Sequence, residues 1–448
     1  MFLYGNLNSK NSQSLNRVMT KEPIFCSLAF GAISIHPNQV YMPCCGIDPT
    51  HWKKPVTFNK TPTDLLNSKP LVDMRKELME GNWPLLCSNC KKSEEAGSDS
   101  MRTIWNKSYG DGKTLPMTEI LDPKNIFYSD FIFSTKCNSK CLTCGPNLSN
   151  FWEEEWNTIW KNKYRLLLVK PKTEEERVAI PDAILSEIID ISSNSKFMSF
   201  VGGEPTISDE HLKFLNLLVE SGKSKDINLS YVTNLTGITD ELIEIWQKFA
   251  GTRITVSTDG YDKINEYIRY PFKWSKIENT IRKCFSLTRE KHLSNSTTAD
   301  FGTGLSCTIS VFNVHDFPNL VEFWYELIKE YLDQLNFDGN GNIFLNRVTF
   351  PAYMSPVVLT NEFRQKGIDK IKILRDKIIS ESETYPNIIK FSKILDSINL
   401  YISMMEEPHV YNKQHIETLK HFIIESDKFR NRNIKDYLPE LWDELEKM

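Results

Sequence analysis

Phe133-Ser134-Thr135-Lys136-Cys137-Asn138-Ser139-Lys140-Cys141-Leu142-Thr143-Cys144 follows an apolar, strand-like run from Ile126 to Phe133. The stretch carries Cys137, Cys141 and Cys144 in a C-x-x-x-C-x-x-C spacing. Thiolates are soft ligands that suit iron–sulfur clusters or zinc. Three of them on one loop can hold three corners of a [4Fe–4S] cube and leave the fourth iron open to a small molecule. A structural zinc takes four protein ligands, usually in two pairs. No fourth Cys or His lies within this loop, which disfavours a closed zinc knuckle. Three unrelated buried thiols are the plain alternative.

About sixty residues on, Phe197-Met198-Ser199-Phe200-Val201 forms a short apolar strand that ends in Gly202-Gly203-Glu204-Pro205. Two glycines remove the Cβ atoms that would hold a ligand away from the backbone. Alone, this tetrapeptide reads equally as a turn. Together with the cysteine loop it resembles the radical S-adenosylmethionine (radical SAM) enzymes. The resemblance implies that the open iron of the [4Fe–4S] cluster at Cys137, Cys141 and Cys144 chelates the amino and carboxylate groups of S-adenosylmethionine. It also implies that the strand end Gly202, Gly203, Glu204 and Pro205 contacts the amino group.

A chain of 448 residues with net charge −4 admits two or three domains, and its hydrophobic (40%) and charged (25%) fractions are those of a soluble globular protein. That charge gives no reason to expect specific nucleic-acid binding. No apolar run is long enough to cross a bilayer, and the polar, Asn/Ser-rich segment Met1 to Lys21 has no signal-peptide apolar region. A cytoplasmic location follows, where thiols stay reduced. The ten cysteines therefore read as metal ligands before they read as disulfides.

Five of them lie between Cys26 and Cys90. Residues 1–22 read as an arm and 23–115 as a small α+β module. Within it, Ala32 to Cys45 reads as a hairpin around a Pro37-Asn38 turn. Thr63-Asp64-Leu65-Leu66 and Leu71 to Met79 read as helix, which Trp83-Pro84 ends. Cys26, Cys44, Cys87 and Cys90 would ligate one cluster or one zinc completely. Cys45 is then spare, with an exchange between Cys44 and Cys45 left open by the spacing. The order "Cys, hairpin, Pro-Cys, helix, C-x-x-C" resembles the twitch and SPASM auxiliary-cluster domains of radical SAM enzymes. Here that module precedes the catalytic domain. The resemblance implies one auxiliary [4Fe–4S] cluster; a structural zinc is the alternative.

Residues 116–358 alternate strands and helices, which predicts an α/β fold with a parallel sheet. Strands are expected at 126–133, 197–201, 227–233, 253–257, 305–312 and 343–350. Helices are expected at 182–193, 209–221, 239–249, 274–287 and 317–331. Six such units match the partial (β/α)6 TIM-like barrel that the resemblance implies. Sites in such folds sit at the C-terminal strand ends, where every motif noted here falls. Residues 359–448 read as a helical region covering part of the barrel mouth. Trp152, Trp156 and Trp160 form one aromatic helix face, read as packing against the barrel or the N-terminal module. Cys284 and Cys307 read as buried free thiols.

Asn234 ends the third strand in what would ordinarily be a turn, and at a barrel mouth it lines the cofactor pocket. Ser257 and Asp259 alternate with apolar residues at the end of the fourth and share a face. A hydroxyl and a carboxylate together suit ribose hydroxyls. Ser257-x-Asp259-Gly260 followed by Asn265-Glu266-Tyr267-Ile268-Arg269 resembles the fourth-strand region of the twitch/SPASM group. That resemblance implies that Ser257 and Asp259 contact the cofactor ribose and Arg269 the cofactor carboxylate. Many family members carry a bulky residue where Thr143 stands, so the adenine contact is expected from Phe133 or from the backbone after Cys144.

The activity implied is reductive cleavage of S-adenosylmethionine to a 5′-deoxyadenosyl radical, which takes hydrogen from a substrate, a peptide or protein side chain. A small metabolite, sugar or nucleotide is the alternative substrate. A one-electron reductant such as flavodoxin or ferredoxin is the implied partner. A non-catalytic metal-binding scaffold or redox sensor is the remaining reading, and it requires the Gly-Gly-Glu-Pro and Ser-Thr-Asp-Gly stretches to be accidental.

Overall fold

The computed structural model describes residues 22–36, 40–48, 51, 64, 66–97, 99–109, 115–173, 182–293, 300–332, 341–384 and 391–448. Most of the expected arm, the Pro37-Asn38 turn, Thr63 and Leu65 lie outside these residues.

Ten strands occur among the described residues. They are β1 (Ala32–His36), β2 (Val40–Met42), β3 (Tyr128–Phe131), β4 (Lys140–Cys141), β5 (Phe197–Phe200), β6 (Asn228–Thr233), β7 (Gly251–Ser257), β8 (Arg269–Tyr270), β9 (Asp300–Ile309) and β10 (Ile343–Arg347). The main sheet runs β10-β9-β7-β6-β5-β3-β1-β2. Its pairs are all parallel except the β1–β2 hairpin. The six expected barrel strands are thus present in order. Helices Asp182–Ser192, Asp209–Glu220, Asp240–Trp246, Trp274–Leu293 and Phe317–Leu332 alternate with them. The result is a mostly parallel α/β sheet in a partial, TIM-like barrel arrangement.

The hairpin differs from the expectation of a self-contained module. β1 pairs in parallel with β3, Ser34 opposite Asp130, and so continues the barrel sheet at its edge. The edge at this end of the sheet is then β2, a strand three residues long.

Side chains alternate across each strand, so each position in register belongs to one face. Phe131, Met198, Phe200, Leu229, Tyr231, Ile254 and Val256 form the buried face beneath the helices. The other face carries Asp130, Ser199, Ser230 and Thr255. It faces the barrel interior.

C-terminal helices Asn361–Thr384, Phe391–Glu406, Lys413–Arg430 and Pro439–Lys447 complete the chain. The first two pack together, and Ser397 Oγ donates to the Ile343 carbonyl on β10 at 2.8 Å. Trp152 and Trp160 are fully buried against Phe422 of helix Lys413–Arg430, with centroids 6.0 and 6.1 Å away. The tryptophan face therefore binds the C-terminal helices, where the sequence pointed to the barrel or N-terminal module. No helix among the described residues is long and apolar enough to cross a membrane.

Candidate functional site

The cysteine loop leaves β3 and returns across the strand ends. Lys140–Cys141 pairs antiparallel with Arg269–Tyr270, so Cys141 lies directly opposite Arg269. Side chains from the following turn brace the loop. Asn150 Oδ1 accepts from Cys137 N at 2.9 Å, Ser149 Oγ donates to the Ser139 carbonyl at 2.8 Å, and Trp152 Nε1 donates to the Cys141 carbonyl at 3.0 Å.

Cys137, Cys141 and Cys144 line one cleft of about 340 Å³ at the C-terminal ends of the parallel strands. Gly202, Gly203 and Glu204 border it from β5, Asn234 from β6, and Ser257, Asp259 and Arg269 from β7 and the segment after it. Pro205 is buried and opens a short 3-10 turn, Pro205–Ile207, rather than lining the cleft. Thr143 lines the cleft as well. Phe133 does not: it is 2% exposed and packs in the sheet's aromatic core with Phe131, Phe200 and Phe214. The adenine contact expected of Phe133 is therefore not available. The strand alternation that buries Phe131 accounts for it.

The glycines meet protein as well as open space. A Cβ at Gly203 would stand 2.2 Å from the Lys136 carbonyl oxygen, and Glu204 N donates to that same oxygen at 2.9 Å. Gly202 has φ +116, which favours glycine, and a Cβ there would meet Ile132 at 2.5 Å. The pair lets the cysteine loop lie flat on the end of β5.

Glu204 is a brace. Its Oε1 accepts from Thr206 Oγ1 and Thr233 Oγ1, both at 2.6 Å, and its Oε2 accepts from Asn234 N at 2.7 Å. It joins the ends of β5 and β6. Burial pushes its carboxyl above the usual range, against the pull of these hydrogen bonds. Asn234 Nδ2 in turn donates to Asn138 Oδ1 in the cysteine loop at 3.1 Å.

Asp259 and Arg269 enter the cleft as a buried ion pair, 2.6 Å from Arg269 Nη1 to Asp259 Oδ2. Asp259 Oδ1 accepts from Thr308 N at 2.8 Å. Ser257 lines the cleft beside them, with Ser306, Thr308 and Asn346 from the last two strands. The thiols respond to this setting. A hydrogen bond from the Cys144 thiol and the nearby Arg269 guanidinium pull Cys141 down despite burial. Cys144, the donor, is pushed up, and burial pushes Cys137 up to about 12. Burial works against the charge of Arg269, but Cys141 and Asp259 outweigh it and hold the guanidinium protonated.

Among the described residues, no three His, Cys, Asp or Glu side chains converge as they would around a single ion. A mononuclear zinc draws each thiolate sulfur to about 2.3 Å from one centre. A four-iron cube places each cysteine on a different iron. Three thiols that line one cleft without converging on a common point fit the second donor set.

In the N-terminal part, Cys26, Cys44, Cys87 and Cys90 surround a small cavity of about 20 Å³. Cys26 precedes the short helix Ser27–Gly31, and Cys87 and Cys90 sit at the start of helix Ser88–Glu95. Cys45 is exposed and does not line this cavity. Burial pushes Cys26 up to about 11 and Cys87 to about 12. Arg102 lines the same cavity, paired with Glu94. Cys284 and Cys307 are buried and free.

What the sequence missed is mostly bracing: Ser149, Asn150 and Asn138 around the loop, and Arg430 behind it. Arg430 Nε donates to Glu155 Oε1 at 2.7 Å and Nη2 to the Lys140 carbonyl at 2.9 Å. Lys140 Nζ lies 3.3 Å from Glu155 Oε2, completing a buried charged triad behind the cysteine loop. No local sequence signal marks a partner 290 residues away.

Residues 131–306 match the family model of the Radical SAM superfamily. No curated protein matches the chain. Among solved structures, the chain is similar to Streptococcus suis SuiB bound to precursor peptide SuiA: 15% identity over 67% of this chain and 60% of that one, TM-score 0.33. It is also similar to SuiB bound to S-adenosylmethionine: 16% identity, 69% of this chain and 64% of that one, TM-score 0.36. SuiB alone shares 15% identity over 78% and 70% of the two chains, TM-score 0.33. The chain spans less than two thirds of the length of the first two.

Proposed function

We propose that this chain is a radical SAM enzyme whose substrate is a peptide or protein side chain. One observation carries the reading: the thiols of Cys137, Cys141 and Cys144 share one cleft with the Gly202-Gly203-Glu204 strand end and Ser257, at the carboxyl ends of parallel strands. The domain match over residues 131–306 supports it. When bound, a [4Fe–4S] cluster and S-adenosylmethionine supply reductive S–C5′ cleavage and a radical that takes hydrogen from the substrate.

The chain's own residues bind and orient. Cys137, Cys141 and Cys144 hold the cluster. The Gly202-Gly203 backbone edge takes the cofactor's amino group, with Glu204 and Pro205 shaping the turn behind it. Arg269, neutralised in part by Asp259, offers charge to the cofactor carboxylate; Ser257 and Asp259 face the ribose, with Asn234 at the rim. Cys26, Cys44, Cys87 and Cys90 hold an auxiliary cluster of the twitch/SPASM type in the N-terminal part, and a flavodoxin or ferredoxin in the cytoplasm supplies electrons. An extended substrate is supported by the interior face of the sheet, which stays open at Val232 (39% exposed) and Phe344 (52%).

The test is anaerobic reconstitution with iron and sulfide, reduction, and assay of 5′-deoxyadenosine. The parent protein forms it and Cys141→Ala does not. Equal formation by both proteins would end the reading.

A further inference from the structure

We propose that Asp130, on the interior face of β3, receives an ammonium or guanidinium group of the substrate. The inference rests on the proposed reading of the cleft. Register places Ser34, Asp130, Ser199 and Ser230 in one row across four parallel strands. Val201 and Val232, two residues further along β5 and β6 on the same face, line the cleft. Two residues of strand advance about 7 Å. A substrate side chain reaching down the interior face from the cleft therefore meets the Asp130 row first.

The carboxylate there is poorly compensated. Its side chain is 3% exposed, at the floor of the face, beside His36 at 21%. Ser34 Oγ donates to Asp130 Oδ2 at 2.9 Å. Having given its proton to the carboxylate, Ser34 accepts from His36 Nε2 at 2.9 Å, and Nε2 lies 3.5 Å from the same Oδ2. These contacts all fall on Oδ2. Among the described residues, no Lys or Arg lies within ion-pair distance of Asp130, and no hydrogen bond reaches Oδ1. A buried carboxylate whose contacts, one hydroxyl and one partly exposed imidazole, all fall on Oδ2 leaves Oδ1 for a cation to complete.

The next row down supplies the remaining chemistry. Tyr128 pairs with Phe197, which is 37% exposed, and Trp105 packs on both, with centroids 4.4 and 6.1 Å away. Aromatic faces beside a carboxylate favour an organic cation over a neutral group. Ser199 and Ser230 continue the row as neutral hydrogen-bonding groups.

The test uses the full-length, anaerobically reconstituted protein with S-adenosylmethionine. The probes are acetylated, amidated tripeptides with a central lysine, arginine or norleucine between glycines, titrated by ligand-observed NMR. The basic peptides should bind at least tenfold more tightly than the norleucine peptide. Asp130→Asn should weaken the basic peptides by roughly 10- to 100-fold, the effect of losing a charged hydrogen-bond partner, and leave the norleucine peptide unchanged. Equal affinities of the three peptides for the parent protein, a measurement that needs no variant, would overturn the site. So would unaltered basic-peptide affinity in Asp130→Asn. Formation of 5′-deoxyadenosine is scored on the same parent preparation, so a failed cleft reading shows as its absence and a failed Asp130 site as equal affinities.

Discussion

Gly203 shows how a motif residue can carry more than one duty. The sequence reading assigned its missing Cβ to ligand approach; the nearer neighbour is the Lys136 carbonyl, 2.2 Å from where a methyl would stand. Gly203→Ala must push the cysteine loop off β5, at an overpacking cost of about 1–3 kcal/mol. Lower retained iron in that variant than in Gly145→Ala, whose Cβ would meet nothing nearer than 4.0 Å, is the expected result of metal analysis. His211 gives a second prediction at this scale. It is buried, with Nε2 2.9 Å from Tyr231 Oη, and burial depresses its pKa from 6.5 to about 3. Below pH 6.5 the unfolded chain binds a proton that the folded chain refuses. Stability contributed by neutral His211 is therefore full above that pH and falls toward pH 3, by up to about 1.4 kcal/mol per pH unit. Denaturant midpoints measured from pH 7 to 4.5 should fall less steeply in the His211→Phe/Tyr231→Phe double variant. Equal slopes would show that His211 is not the group responsible. The cysteines were legible because ligand spacing is local. The brace made by Glu204 was not, because its partners Thr233 and Asn234 belong to another strand.

At the scale of elements, six strands and their helices were readable from periodicity, since apolar runs bounded by polar strand ends are written locally. Two placements were not. β1 reads as half of a hairpin, and nothing near it announces the parallel partner β3, 96 residues on. Residues 359–448 read as a helical region over the barrel mouth, but nothing in that pattern places Arg430, the last residue of helix Lys413–Arg430, buried behind the cysteine loop. Arg430 there also stacks on Trp152 and Tyr270, 4.8 and 5.1 Å from the ring centroids. Removing Arg430 leaves Glu155 with Lys140 alone, and breaking a buried pair on one side costs about 3–5 kcal/mol. Arg430→Met should lower stability on that scale in urea unfolding of the reconstituted protein. Adding Glu155→Gln should restore part of the loss, because partners in one network are not additive. Strictly additive losses would mean that the helix and the loop are not coupled through this pair.

For the whole molecule, the consequence of β1 joining the barrel sheet is that the four-cysteine cavity and the candidate cofactor cleft are linked by a continuous backbone ladder. Cys26 immediately precedes helix Ser27–Gly31, which leads straight into β1, and β1 carries Ser34 against Asp130. Cys44 follows β2, and Cys87 and Cys90 arrive from a separate helix start. Burial disfavours the charged forms of the Cys26, Cys44 and Cys87 thiols without a metal, so ligation there contributes to the folding free energy of this end of the sheet. Cys87→Ala should then release about half of the bound iron, on the proposed count of two [4Fe–4S] clusters per chain. Amide hydrogen exchange should rise in Ser27–Gly31, β1 and β2, which lie between the cavity and the sheet, while β6, β7 and β9 keep their protection as the interior of the parallel ladder. Cys45→Ala, with its thiol outside the cavity, should change neither measurement. Zinc without sulfide in the parent protein's second site would replace the auxiliary cluster with a structural metal and leave the exchange prediction standing. Uniform exchange across β1 to β9 in Cys87→Ala would instead show that the two ends of the sheet open as a single unit.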